Sequence, residues 1–224
     1  MSPLLCRYAR VGGALLLAVF LPLRVDSQTS SSGGPQPASQ PDERSAVDIV
    51  KALGGATLAL AMHEGGHLAF DAAFDARPRL ERVHFGPFPF FAVAHRGDLS
   101  PRRELTVSSA GFWVQEASSE WLLTRRRALR HEHAPLAKGV LAFNVLNSVG
   151  YACVAFARRG PFERDTRGVA DSIGVDERAI GAVVLAPALF DAYRFFKPDA
   201  RWAKWASRAV KAGSVLLVVR PAHR

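Results

Sequence analysis

The sequence predicts a mainly α protein: a membrane-embedded bundle of several helices, with a small β-hairpin after the helix that carries a paired-histidine motif. Three observations predict it. Apolar runs of helical length recur along the 224 residues, and 49% of all residues are hydrophobic, ample for one folded domain. Arginine-rich loops flank those runs and bring the formal net charge to +9, as basic residues do beside membrane spans. One stretch, Leu80 to Ala94, mixes aromatic and β-branched residues with Gly86-Pro87 and Pro89, the pattern of a hairpin.

Residues 1–27 read as a secretory signal. Arg7 and Arg10 supply a basic start, Val11 to Leu23 an apolar centre, and Val25 and Ser27 the small residues of a cleavage site. An uncleaved anchor running from Tyr8 to Leu23 is the alternative. Residues 28–45 are rich in Ser, Gly, Pro and Gln and read as a disordered tether, because such a segment cannot bury enough apolar surface to fold. The helical domain is then 46–224, with Ser45 as a cap for its first helix. A signal ahead of several spans points to a multi-pass protein of the cell membrane.

The first apolar helix covers about Val47 to Phe74. If residues 52–72 cross the bilayer, His63 falls near mid-depth. Leu105 to Leu123 forms the second, with Ser108, Ser109, Ala110 and Gly111 as a small-residue face for close helix approach. Pro135 to Ala157 is the third; its Asn144 and Asn147 need partners inside the bundle, either on other helices or on a bound substrate. Ile180 to Phe196, with Pro187 and Asp191, is the fourth. Trp202 to Val219 starts amphipathic, with Lys204, Arg208 and Lys211, and reads as a helix lying along the membrane interface.

Composition excludes some functions. Two cysteines, Cys6 in the signal and Cys153 in an apolar run, make no disulfide framework. No zinc finger, recognition helix or aromatic-interleaved basic strand accompanies the positive charge, so membrane lipid and not nucleic acid is the expected partner.

The chemistry sits in His63-Glu64-Gly65-Gly66-His67. Residues four apart share a helix face, so both imidazoles can meet one Zn²⁺ ion while Glu64 stands beside its water. Such a charged triplet in an apolar helix costs several kcal/mol to bury unless it binds a metal or is paired. Gly65 and Gly66 are poor helix formers whose use lies in close approach by another element. A catalytic zinc needs a third protein ligand. Glu116 or Glu120 of the second helix, His84 or His95 of the hairpin, and Asp165 or Asp171 after the third helix all compete for that place.

With these features the chain resembles the site-2 protease family of intramembrane metalloproteases. The likeness rests on the pentapeptide in an apolar helix, the aromatic hairpin after it, Ser109-Ala110-Gly111 in the next helix, and Asn144 with Asn147 in the third. It covers roughly Ala46 to Ile173. The resemblance implies that a distal aspartate completes the zinc site, and Asp165 follows the asparagine-bearing helix most closely, where it could also cap the segment it begins; Asp171 is the runner-up. The family's Asp-Gly pair is absent, replaced by Asp165-Thr166-Arg167-Gly168 and Asp171-Ser172-Ile173-Gly174. The implied activity is hydrolysis of membrane-embedded or membrane-proximal polypeptides, with His63, His67 and Asp165 on zinc, Glu64 as general base, and Asn144 and Asn147 positioning substrate. Two other readings stand beside it: a zinc-binding membrane chaperone or regulator that does not cleave, and a soluble secreted zinc hydrolase using Glu116 or Glu120.

Overall fold

The computed structural model describes residues 43–85, 88–95, 99–160 and 163–219. The expected signal and nearly all of the expected tether lie outside these residues. Six helices and one hairpin follow in order: α1 (Glu43–Ala73), β1 (Arg79–Phe85), β2 (Phe88–Ala94), α2 (Pro101–Arg125), α3 (Pro135–Ala157), α4 (Asp165–Ile173), α5 (Glu177–Phe196) and α6 (Arg201–Val219). The protein is mainly helical, with a small antiparallel two-stranded sheet whose register runs from Arg79 opposite Ala94 to Phe85 opposite Phe88.

Two boundaries differ from the sequence reading. Helix α1 already includes Glu43, so the tether ends before residue 45 and Ser45 lies inside the helix rather than capping it. Helix α4 was expected only as a segment starting at Asp165, with no helix length assigned to it. It is nine residues long and carries only Val169, Ala170 and Ile173 as sizeable apolar contacts, too few to register as an apolar run.

Helices α1 and α3 cross with almost no side chain between them. A Cβ on Gly55 would lie 2.0 Å from the Leu136 carbonyl oxygen, and one on Gly139 would lie 1.9 Å from that of Ala52. Only glycine permits this approach, which brings α3 and the α2 side chains bonded to it against the motif helix. Ala59, Leu122, Leu129, Val140 and Leu141 fill the space beside the crossing, and Leu105, Phe112, Val169, Ile180 and Val184 form a second core beneath α4 and α5.

Three helices are long and apolar enough to cross a membrane: Ser45–Ala73, Pro135–Ala157 and Glu177–Phe196. Polarity runs outward from low to high in an ordinary globular domain; here much of it is reversed. Val50, Leu53 and Leu189 are more than half exposed, whereas Asp191, Arg194 and Lys211 are buried.

Candidate metal centre

His63 and His67 point from α1 toward α2, and both are buried. The imidazole of His63 donates from Nδ1 to Gln115 Oε1 at 2.9 Å, and that of His67 donates from Nδ1 to the Val107 carbonyl at 2.7 Å. With both Nδ1 atoms committed as donors, each ring presents Nε2 to the space between α1 and α4. The two Nε2 atoms are 3.2 Å apart, and Asp165 Oδ2 lies 3.2 Å from one and 3.3 Å from the other. A tetrahedral zinc about 2.0–2.2 Å from its ligands holds them roughly 3.3–3.5 Å from one another. The donor set and its spacing therefore fit zinc. Among the described residues these three form the group of His, Cys, Asp or Glu side chains able to hold a metal ion.

Gly111 makes the arrangement possible. A Cβ there would lie 2.4 Å from His63 Cε1 and 2.5 Å from His67 Nε2, so any side chain would occupy the place of the rings. One turn further along α2 comes Gln115, the residue that orients His63. Its amide is held in turn, donating to the Asn144 carbonyl at 3.4 Å and accepting from Asn147 Nδ2 at 3.2 Å.

Asp165 reaches the histidines through α4. It is the first residue of that helix, preceded by Arg164 at the cap position, and makes no capping bond, a correction to the capping role expected for it. The positive end of the helix dipole favours a carboxylate there. Burial raises the Asp165 carboxyl, but the His67 and His63 imidazoles beside it more than offset this, and it is held well below the usual carboxylate range. Gly168, one turn on, lets α4 press against α2, since a Cβ would lie 2.2 Å from Ser108 Oγ. Arg164 and Thr166 both bond Glu177 at the start of α5, at 2.6 Å and 2.8 Å, and so fix the helix start that carries Asp165.

Glu64, half-buried, lies within electrostatic reach of all three members of the centre. The ring of Tyr151 stacks edge-on against Phe112 at 5.0 Å and lies 6.1 Å from that of His63. A cleft of about 490 Å³ opens on His67 and Asp165 between the hairpin, the first half of α2 and α4.

Of the competing third partners, the His84 side chain lies outside the described residues, and the others are not part of this group. Asp171 is exposed and paired with Arg167. Glu120 joins Arg194, Arg208 and Lys211, and Glu116 accepts from Ser214; both face α6. His95 lies on the cleft, bonded to Glu104 at 2.6 Å. Neither Asn144 nor Asn147 lines the cleft, and of the two kinds of partner expected for them the bonds formed are to a neighbouring helix. Asn144 is buried and donates to Gln115 O, Ser118 and Ser119, and Asn147 holds Gln115. They tie α3 to α2 and support the His63 orienter.

Sequence reading missed Gln115 and Gly111 as members of the centre. The available signal was their four-residue spacing, which puts clearance and an amide on one face of α2. Comparison with protein-family models, with curated proteins and with solved structures finds no match to this chain.

Proposed function

We propose that the protein is a zinc-dependent membrane endopeptidase, similar to the site-2 proteases, that hydrolyses peptide bonds of membrane-embedded or membrane-proximal polypeptides. The observation that carries this reading is the convergence of His63 Nε2, His67 Nε2 and Asp165 Oδ2 within 3.3 Å of one another, with Glu64 alongside. Three acceptor atoms directed at one point repel one another unless a cation or shared protons lie between them.

Held by His63, His67 and Asp165, a zinc ion would supply Lewis acidity toward a scissile carbonyl and toward a water. Glu64 takes the proton from the attacking water and passes it to the leaving amine nitrogen, so that the hydroxyl ends on the acyl carbon and the amine leaves neutral. Gln115 and the Val107 carbonyl keep both imidazoles in the tautomer that offers Nε2. The cleft beside His67 and Asp165 is large enough for a few residues of an extended peptide. A bilayer location is supported by the three apolar helices and by the exposed apolar and buried charged side chains of α1, α5 and α6.

The test is a pair of variants assayed for zinc content and for cleavage of co-expressed membrane proteins. Glu64→Gln is expected to keep zinc and lose cleavage by at least about a hundredfold, and His67→Ala to lose both. Cleavage at wild-type rate by the glutamine variant would refute the catalytic reading; zinc retained by the alanine variant would refute the site.

A further inference from the structure

We infer that the end of the bundle where α5 gives way to α6 binds anionic phospholipid headgroups, with Arg127, Lys197, Arg201 and Lys204 meeting the phosphates and Trp202 and Trp205 set at headgroup depth. The inference rests on the membrane location proposed above, and it is independent of the metal centre.

Helix α6 has two faces of unusual content. Ala203, Ser207 and Lys211, four residues apart, are buried against α2 and α5. The opposite face presents Trp202 at 60% exposure and Trp205 at 66%, and it continues upward through the exposed Ala212 to Leu216. Two exposed indoles followed by an apolar stripe describe a helix that enters hydrocarbon from an interface. A nucleic-acid surface would not carry that apolar continuation, which favours lipid as the occupant.

The charge at the indole end is in positive excess. Among the described residues Arg127, Lys197, Arg201 and Lys204 have no carboxylate within ion-pair distance, while Arg126 nearby is already paired with Glu132 at 3.0 Å. The one acidic residue of the α5–α6 loop is Asp199. Lys204 records the excess, held below its ordinary range by Arg208 foremost, with slight desolvation, Arg127 and Arg194 adding. A phosphate in this field would gain from every one of these cations, and indoles beside basic residues are the usual furniture of a headgroup layer.

The full chain carrying W113F and W121F, which leaves Trp202 and Trp205 as reporters, is reconstituted into vesicles of phosphatidylcholine and phosphatidylglycerol in equal parts. One lipid at a time is brominated to quench fluorescence. Brominated phosphatidylglycerol is expected to quench with an apparent affinity about tenfold above that of phosphatidylcholine, a preference that shrinks at high salt and vanishes in R127E/K197E/R201E/K204E. Equal quenching by the two lipids, the same preference in the charge-reversed variant, or loss of the preference on adding soluble glycerol phosphate would overturn the inference. No quenching by either lipid would do so too, by assigning the indoles to water or to a protein contact. A companion W202F/W205F chain, reporting from Trp113 and Trp121, separates the failures: if it is quenched, the protein is in the bilayer and only the headgroup site is wrong.

Discussion

Two polar clusters are buried among these helices, and they are built on opposite principles. Between α2, α5 and α6, cations and anions alternate: Lys211 donates to Asp191 at 2.7 Å, Ser207 to Asp191 at 3.0 Å, Arg208 to Glu120 at 2.7 Å, and Arg194 pairs with Glu120 as well. Every charge there meets its opposite. Between α1, α2 and α4, the outer nitrogens of both histidines are satisfied by Gln115 and Val107, and the three inner atoms converge on one point, where neutral imidazoles beside the carboxylate offer acceptors alone. Burial of charge is common to both clusters and marks neither as functional; what separates them is whether the set closes on itself.

The comparison is sharpest when one carboxylate is removed from each. Asp191→Ala leaves Lys211 and Arg194 buried beside a missing partner, and a broken buried pair is expected to lower stability by about 3–5 kcal/mol, read as a fall in the midpoint of denaturant unfolding in detergent, with zinc content unchanged. Asp165→Ala should do the reverse: zinc is lost, while the metal-free protein unfolds close to the wild-type midpoint. If Asp191→Ala also strips the zinc, the two clusters form one cooperative unit and the contrast fails.

A smaller effect is expected one bond away from the centre. Gln115→Leu keeps the volume of the side chain but removes the acceptor for His63 Nδ1, so the ring can rotate or change tautomer. Loss of a single orienting partner weakens zinc binding by roughly 10–100-fold, measured by competition with a chelating dye. Asn147→Leu, which acts on His63 only through Gln115, should weaken it less. Equal and negligible effects from both would mean that packing alone, through Gly111 and Phe112, fixes the imidazole.

Much of this centre was legible because part of it is local. The pentapeptide places His63 and His67 on one face by helix geometry alone, and the turn residues of Gly86-Pro87 between two β-rich runs mark the hairpin. Asp165 is 102 residues from His63, and no periodicity connects them; it was reached through the family resemblance. The helix that delivers it is short and rich in polar residues, so it escaped a reading tuned to apolar runs. Asn144 and Asn147 were recognised as needing partners, but sequence spacing cannot say whether a buried amide turns to a neighbouring helix or to a substrate. Glu116 and Glu120 competed with Asp165 on residue type alone, and α5 and α6 supply the cations and the hydroxyl they face.

The weakest expected effect lies at the rim of the cleft, where His95 joins the end of the hairpin to the start of α2 through Glu104 at 2.6 Å, with Asp71 3.7 Å from its other nitrogen. The bond to Glu104, chiefly, raises the His95 imidazole above its ordinary range; burial opposes this, and the charges of Glu104 and Asp71 assist it. A group whose pKa is higher in the folded state contributes its full stabilisation below the unfolded value of about 6.5 and loses it as pH climbs through the raised one. The hairpin should therefore be held most firmly in mild acid and loosen toward alkaline pH by about 1 kcal/mol, the scale of a partly exposed ion pair. Trypsin cleavage after Arg79 and Arg82, corrected for the enzyme's own pH profile with a free peptide, should rise about fivefold between about pH 6 and pH 9. His95→Gln, which can still donate one hydrogen bond but does not titrate, should make cleavage independent of pH. The same rise in that variant would assign the loosening to another group and leave His95 as a neutral tie between the hairpin and α2.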